Sequence, residues 1–474
     1  MQVLMLGWEY PPHISGGLGT ACEGLTRALS PLEVDIQFVV PQLYGVESAP
    51  HMRLVSPVLR SRTERADSPR TPAGEPIAAS VGSNDSIESG GLVEAAMSER
   101  SDGMFVQTVR IPALLSPYLS PAEYRLLAST LGADDETELH FEPNPSDAEM
   151  AALAGAETGS PGDKPGHYGR NLFGEVLRFA DRVTAWARHQ QPDVIHAHDW
   201  MTFPAATRIA RMLSIPLVVH IHSLEQDRSG HGPNPTIVAI ESAGVRAATR
   251  VIAVSHYTAR KIHELHGVDL DRISVVHNGV YARPTVAAYQ EEHPKSGPLV
   301  LFLGRITYQK GPEYFVEAAA KVLAKVPDAR FVMAGNGDML PQVKARVAEL
   351  GIDSAFEFPG FVRGADVEHL FSTADAYVMP SVSEPFGISA LEAMSYETPV
   401  ILSRQSGASE VLRHALKVDF WDIDRLAAQI IAVLQYPELR SSIVEMAREE
   451  VRRVHWEAAA SKVKHVYERA LGEG

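Results

Sequence analysis

Short apolar runs alternate with longer stretches of helical spacing in two series along the 474-residue chain, and this alternation constrains the fold more than any other feature. The first series places strands at 3–6, 34–40, 104–112, 193–196, 216–222, 250–255 and 273–277, with helices at 20–29, 172–190, 203–213, 236–248 and 259–266. The second places strands at 299–303, 329–334, 356–358, 376–379 and 400–402, and closes with helices at 424–436, 437–450 and 456–471. Strand and helix in regular alternation imply parallel sheets joined by crossover helices. The stretch 282–297, with Pro284, Glu291, Glu292, Pro294, Lys295 and Gly297, reads as a linker. The expected fold class is therefore α/β, with two doubly wound domains facing a central cleft. Ligands of such sheets sit beyond the carboxyl ends of the strands.

Two segments break the pattern. Residues 61–103 carry four arginines against eight acids, and 129–168 carry one lysine against nine. Both are poor in large apolar side chains, which points to disordered insertions, because too little burial is available to offset chain entropy. They hold most of the net charge of −16, so the rest is near balance and offers no basic stripe for nucleic acid. A single cysteine, Cys22, excludes an intramolecular disulfide framework and a cysteine-based zinc site. The first apolar run has no basic stretch before it and stops at Trp8-Glu9-Tyr10-Pro11-Pro12, so it is neither a signal peptide nor an integral membrane segment. A cytoplasmic location is the expectation.

Several loops carry chemistry. Gly16-Gly17-Leu18-Gly19 opens the first helix; glycines admit a ligand close to the backbone, and free N–H groups there favour phosphate. A dinucleotide fingerprint would need glycine at Cys22, so a plain strand-to-helix turn competes. Two strings, His196-Ala197-His198-Asp199 and His220-Ile221-His222, end two strands with each histidine pair on one face. Three readings stay open: metal ligands of a hydrolase, buried core histidines, and recognition of sugar hydroxyls by His198, Asp199 and His222, which lie nearest the strand ends.

In Gly304-Arg305-Ile306-Thr307-Tyr308-Gln309-Lys310-Gly311, the Arg305 fork and the Lys310 point charge could meet one diphosphate, or could be solvated surface cations. In Glu384-Pro385-Phe386-Gly387-Ile388-Ser389-Ala390-Leu391-Glu392, Pro385 keeps Glu384 out of the helix that follows. Backbone N–H groups at Phe386, Gly387 and Ile388 would be free for phosphate. Glu392, a turn or more inside the helix, could take two vicinal ribose hydroxyls, and Glu384 would bond a sugar. Asn278-Gly279 reads as a turn, with a sugar contact as the competing role. The strings Asp269-Leu270-Asp271 and Asp422-Ile423-Asp424 lie in loop or helix-start contexts, away from the strand ends where a metal-dependent transferase would use them.

These residues resemble the retaining glycosyltransferases of family 4, glycogen- and starch-synthase-like, whose two Rossmann-like domains are called GT-B. Gly304-Arg305 with Lys310-Gly311, Pro380-Ser381, the Glu384/Glu392 pair, His196-Ala197-His198-Asp199-Trp200 and the Gly-Gly-Leu loop carry the resemblance, which covers 1–55, 104–125 and 171–470. It implies transfer of a hexosyl, foremost glucosyl, group from a UDP-, ADP- or GDP-sugar to a carbohydrate acceptor, an α-glucan among the candidates, without a metal or other cofactor. Arg305 and Lys310 would hold the diphosphate, Glu384 and His222 the donor sugar, Glu392 the ribose, Asp199 and Asn278 sugar or acceptor, and Gly17 the donor phosphates. It further implies an acceptor-side domain over 1–285, a nucleotide-sugar domain over 296–455 and a closing helix over 456–474 that crosses back onto the first. Ile14 stands where glycogen synthases carry lysine, so the resemblance does not assign ADP-glucose. The string His222-Ser223-Leu224-Glu225-Gln226-Asp227-Arg228 is similar to a glycogen-synthase-like branch that is not tied to one sugar. A metal-dependent hydrolase and a catalytically silent carbohydrate-binding relative are the alternatives; intact Glu384, Arg305 and Lys310 argue against the latter.

Overall fold

The computed structural model describes residues 1–12, 16–41, 48–56, 172–230, 232–281 and 297–472. The insertions 61–103 and 129–168, the strand expected at 104–112, Ile14 and nearly all of the linker lie outside the described residues. The first sheet is built from β1 (Gln2–Leu6), β2 (Asp35–Val39), β3 (Arg53–Val55), β4 (Val194–His198), β5 (Leu217–Ile221), β6 (Arg250–Ala253) and β7 (Ile273–Val275). The second is built from β8 (Leu299–Leu303), β9 (Arg330–Ala334), β10 (Phe356–Gly360), β11 (Ala376–Met379), β12 (Val400–Ser403) and β13 (Leu416–Val418). Their orders are β3-β2-β1-β4-β5-β6-β7 and β10-β9-β8-β11-β12-β13. Every pairing is parallel.

Both sheets thus reverse direction of growth once, at β1/β4 and at β8/β11. Loops leaving those strands diverge and open a crevice at each carboxyl edge. The central strands β4, β5 and β6 are buried along their whole length, as strands covered by helices on both faces must be. The edge strands β3 and β13 were not anticipated. Each has three residues, one of them charged (Arg53, Lys417), so no apolar run marks it.

The helix Trp456–Gly472 returns to the first lobe and packs beside the helix Gly17–Leu29. Trp456, Ala460, Val463 and Tyr467 share one core with Cys22, Leu25, Leu29, Val3 and Met5. A parallel bridge between Val280 and His455 joins the two crossing segments. A Cβ on Gly279 would stand 2.3 Å from the Trp456 nitrogen, and one on Gly24 would stand 2.1 Å from the Trp456 ring. The return helix fits only because both positions lack side chains. Among the described residues, no helix is long and apolar enough to cross a membrane.

The first core also holds a histidine stack. Parallel pairing sets His198 beside His220, and the rings of His196 and His198 lie 4.3 Å apart, those of His220 and His222 4.2 Å. His196 Nδ1 meets the Tyr467 hydroxyl of the return helix at 2.6 Å. Nε2 of His196, Nε2 of His198 and both nitrogens of His220 have no hydrogen-bond partner among the described residues, so these core histidines are buried without being satisfied. Burial disfavours their charged forms: His196 falls to about 3, and His198 and His220 lie well below the ordinary value.

Two outcomes follow from this packing. Gly24→Leu should overpack the helix seam by about 1–3 kcal/mol and lower the melting temperature by several degrees, whereas Gly16→Ala, where nothing lies within 4 Å, should not. The histidines are neutral in the fold but take protons when unfolded below pH 6.5, so the unfolded state binds more protons there. Stability should therefore fall as pH drops from 6.5 toward 4, as read by urea titrations across that range. His196→Leu should shallow the slope.

Candidate active site

The carboxyl edge of the first sheet gathers three of the expected residues. β4 ends at His198, and Asp199 follows with φ 56° and ψ 169°, a backbone region costly for any residue with a Cβ. That turn aims the Asp199 carboxylate across to the end of β5, where Oδ1 accepts from the His222 N–H at 2.7 Å. His222 Nε2 in turn meets His198 Nδ1 at 2.9 Å. Burial raises the Asp199 carboxyl to about 6, against Arg228 and the backbone donors that lower it. Burial lowers the His222 imidazole to about 3, so it is neutral near pH 7.

A short helix, Glu225–Ser229, follows and is tied down by charge. Arg228 pairs with Glu225 at 3.3 Å and Glu241 at 3.1 Å, and Asp227 Oδ2 accepts from the Leu224 N–H at 2.9 Å. Burial raises Glu241 to about 8 despite Arg228 beside it. Gly17 begins the first helix at the same sheet edge, and Glu9, 7% exposed, accepts from the Gly19 N–H at 2.9 Å. That carboxylate complements the positive end of the helix. Asn278, 6% exposed, lies just beyond β7.

The carboxyl edge of the second sheet gathers the other set. Lys310, in the loop after β8, pairs with Glu384 at 2.5 Å. Ser381 donates to the same Glu384 oxygen at 3.1 Å. Arg305 donates to Gln309 at 3.0 Å within its own loop. The helix Ile388–Ser395 starts here, capped by Gly387 at φ 101°. A Cβ at Gly387 would meet Met379 at 2.7 Å and Glu384 at 3.2 Å, so glycine is required where the loop folds over β11. Lys310, Tyr377, Ser381 and Ser389 line a small recess beneath it. Phe386 and Ile388 flank the cap, and Glu392, half-buried, lies one turn into the helix.

The two edges meet. The Pro385 carbonyl accepts from Ser255 Oγ at 2.6 Å and Thr258 Oγ1 at 3.3 Å, both on the first lobe. Ser383 Oγ lies 2.6 Å from Asp227 Oδ1, 2.8 Å from Lys261 Nζ and 3.0 Å from the Tyr257 hydroxyl. Glu410 of the second lobe accepts from the His256 and Tyr257 N–H groups at 2.9 and 2.7 Å, and its Oε2 lies 2.9 Å from His277 Nε2. It caps the helix His256–His266 from across the cleft.

Sequence reasoning missed Ser381, Ser383, Asp227, Lys261 and Glu410 as members of the site. Ser381 and Asp227 stand inside strings already singled out and Ser383 adjoins one, but Lys261 and Glu410 lie on helices and carry no local signal.

His196, His198 and His220 bring one nitrogen each within 4.8 Å, a grouping that invites a metal. However, the His196 and His220 rings stack with planes 11° apart. A metal ion lies in the plane of each imidazole that binds it, so near-parallel rings share one ion only where they are also coplanar.

Residues 287–450 match the model for glycosyl transferases group 1, 133–282 that for glycosyltransferase family 4, and 2–70 that for the starch synthase catalytic domain. An uncharacterized glycosyltransferase of Methanocaldococcus jannaschii is 32% identical over 59% of this chain and 76% of its own. A glycogen synthase of Mycobacterium tuberculosis is 26% identical over 98% of this chain and 94% of its own. Among solved structures, the sucrose-phosphate synthase of Thermosynechococcus elongatus superposes with a TM-score of 0.68 at 17% identity, covering 100% of both chains. HepE of Anabaena, in complex with UDP and glucose, does so with a TM-score of 0.59 at 15% identity, covering 99% of this chain and 100% of its own. In sequence and in architecture, the chain belongs to the family 4 glycosyltransferases of the GT-B fold.

Proposed function

We propose that this chain moves a hexosyl group, glucosyl foremost, from a nucleotide-sugar to a carbohydrate acceptor with retained anomeric configuration. The observation that carries the reading is the meeting of Lys310 and Glu384 beside the helix start at Gly387. A cation, backbone N–H groups and an acceptor-only carboxylate then share one sheet edge. That set matches a diphosphate joined to a hydroxyl-rich ring.

In this reading Arg305 and Lys310 take the phosphate oxygens and stabilise the leaving nucleoside diphosphate as its charge develops. Amides at Phe386, Gly387 and Ile388 add the helix dipole. Glu384 holds donor-sugar hydroxyls and faces the positive charge that grows at the anomeric carbon, and Glu392 takes the ribose. His222, kept neutral, donates or accepts toward the sugar without adding charge. Asp199 and Asn278 contact sugar or acceptor, and Gly17, where a Cβ would meet nothing within 4 Å among the described residues, leaves room for phosphate. The donor base is one of uracil, adenine or guanine. HepE, which shares the fold, is described in complex with UDP-glucose, which favours uracil. Cations and helix amides do the work a metal would do, so no cofactor is invoked.

A panel of UDP-, ADP- and GDP-sugars, read by nucleotide release, tests the reading. Each lost charged hydrogen bond to phosphate costs about 1.5–3 kcal/mol, so each of Arg305→Ala and Lys310→Ala should lower kcat/KM by roughly ten- to a hundredfold. The double variant should also lose the melting shift given by free nucleoside diphosphate, measured against its own melting temperature, which the loss of the Lys310–Glu384 pair lowers. Unchanged turnover in that double variant refutes the phosphate assignment. Turnover should survive EDTA; loss on chelation, restored by a divalent cation, refutes the metal-free chemistry.

A further inference from the structure

We infer that Asp227, Lys261 and Tyr257 of the first lobe act through Ser383 as positioning residues that set Glu384 for transfer. The inference rests on the glycosyltransferase reading above and names residues for the same site.

Every proton in the cluster can be assigned. A carboxylate only accepts and an ammonium only donates. Asp227 Oδ1 stands 2.6 Å from Ser383 Oγ, so the serine's one proton goes to Asp227. Lys261 Nζ stands 2.8 Å from the same Oγ and donates to it. The Tyr257 hydroxyl, at 3.0 Å, then donates to the second lone pair. Ser383 Oγ is left with one donation and two acceptances, its full capacity. Lys261 also pairs with Asp227 Oδ1, so the ion pair closes on itself around the serine.

Burial makes the cluster demanding. Asp227 is 2% exposed and Ser383 9%. Removing one member leaves a buried carboxylate or ammonium short of a partner, the costly case. Asp227 is itself fixed by the Leu224 N–H, two residues beyond His222. Ser383 is the residue before Glu384, whose side chain meets Lys310 and Ser381 and whose N–H donates to the Gln405 carbonyl at 2.9 Å. One peptide bond therefore links a hydroxyl held wholly by the first lobe to the carboxylate expected to face the reacting sugar carbon. The cations expected on the diphosphate belong to the second lobe alone. Binding of the nucleoside diphosphate and placement of Glu384 are thus separable, and only the second depends on the cluster.

The test uses the full chain with the nucleotide-sugar panel and UDP, ADP and GDP as binding probes. Ser383→Ala and Lys261→Met should lower kcat about ten- to a hundredfold, with the melting shift induced by free nucleoside diphosphate unchanged. Ser383→Thr, which keeps the hydroxyl, should restore most of kcat. Amide hydrogen exchange over residues 381–387 should speed up in Lys261→Met and Ser383→Ala but not in Ser383→Thr. Unchanged kcat in both variants, or unchanged exchange over 381–387, overturns the inference. So does a parallel fall of kcat and nucleotide binding, which would mark a general loss of structure. If the wild-type chain turns over no nucleotide-sugar, the functional reading fails, and the exchange measurement still decides whether the cluster orders the Glu384 loop.

Discussion

The Pro385 carbonyl, held by Ser255 and Thr258, is the contact on which the site depends. Two parallel sheets each present a carboxyl edge, but nothing in either sheet makes the edges face one another. Hydroxyls at the start of the first-lobe helix His256–His266 grip the second-lobe loop that carries Glu384, and Glu410 grips that helix start in return. A proline carbonyl suits this role. Its residue donates no N–H, and its ring fixes φ, which removes one of the two soft torsions of the loop at that point. Ser255 also caps its own helix by accepting from the Thr258 N–H at 3.0 Å, so one side chain ends a helix and joins the lobes.

A second constraint comes from charge. Acidic groups with strongly raised affinity for protons, Asp199 and Glu241, stand beside Arg228, while the imidazoles of His196, His198, His220 and His222 stay neutral. The first-lobe edge thereby sets neutral imidazoles beside acidic groups, and its Arg228 is taken up by Glu225 and Glu241. The second-lobe edge offers Arg305, Lys310 and a helix start. Such a division suits a donor whose charge sits in its phosphates and whose sugar and acceptor are neutral. The strained backbone at Asp199 and the unsatisfied histidine nitrogens work against stability, and both lie at or beneath this edge.

Much of the fold was legible because central parallel strands are continuous apolar runs and their crossover helices keep a strong period. The strands ending at His198, near His222 and at Met379 stand within two residues of where periodicity placed them. β3 and β13 were not legible, because each short edge strand carries a charged residue, Arg53 or Lys417, whereas the equally short β7 runs on into the apolar Val276. The histidine strings could be placed on one strand face from alternation, yet not identified as a stack. That required knowing that β4 and β5 are neighbours in register. Lys261 and Glu410 had no signature at all, since a charge on an exposed helix face looks the same whether it meets water or another lobe.

By itself, the sequence determined the α/β class, the two sheets, and the loops that carry Arg305, Lys310, Glu384, Asp199 and His222, because these follow from local period and from residues near one another in the chain. Only the tertiary structure decided that Lys310 pairs with Glu384 across 74 residues, that Ser383 is held by Asp227 across 156, and that Gly24 and Gly279 are where the returning helix, expected from the family resemblance, comes to rest. Those contacts depend on strand order and on the approach of two lobes. Neither is written in any local window, because closing a long loop costs nearly the same whichever partner it meets, and packing alone selects among them.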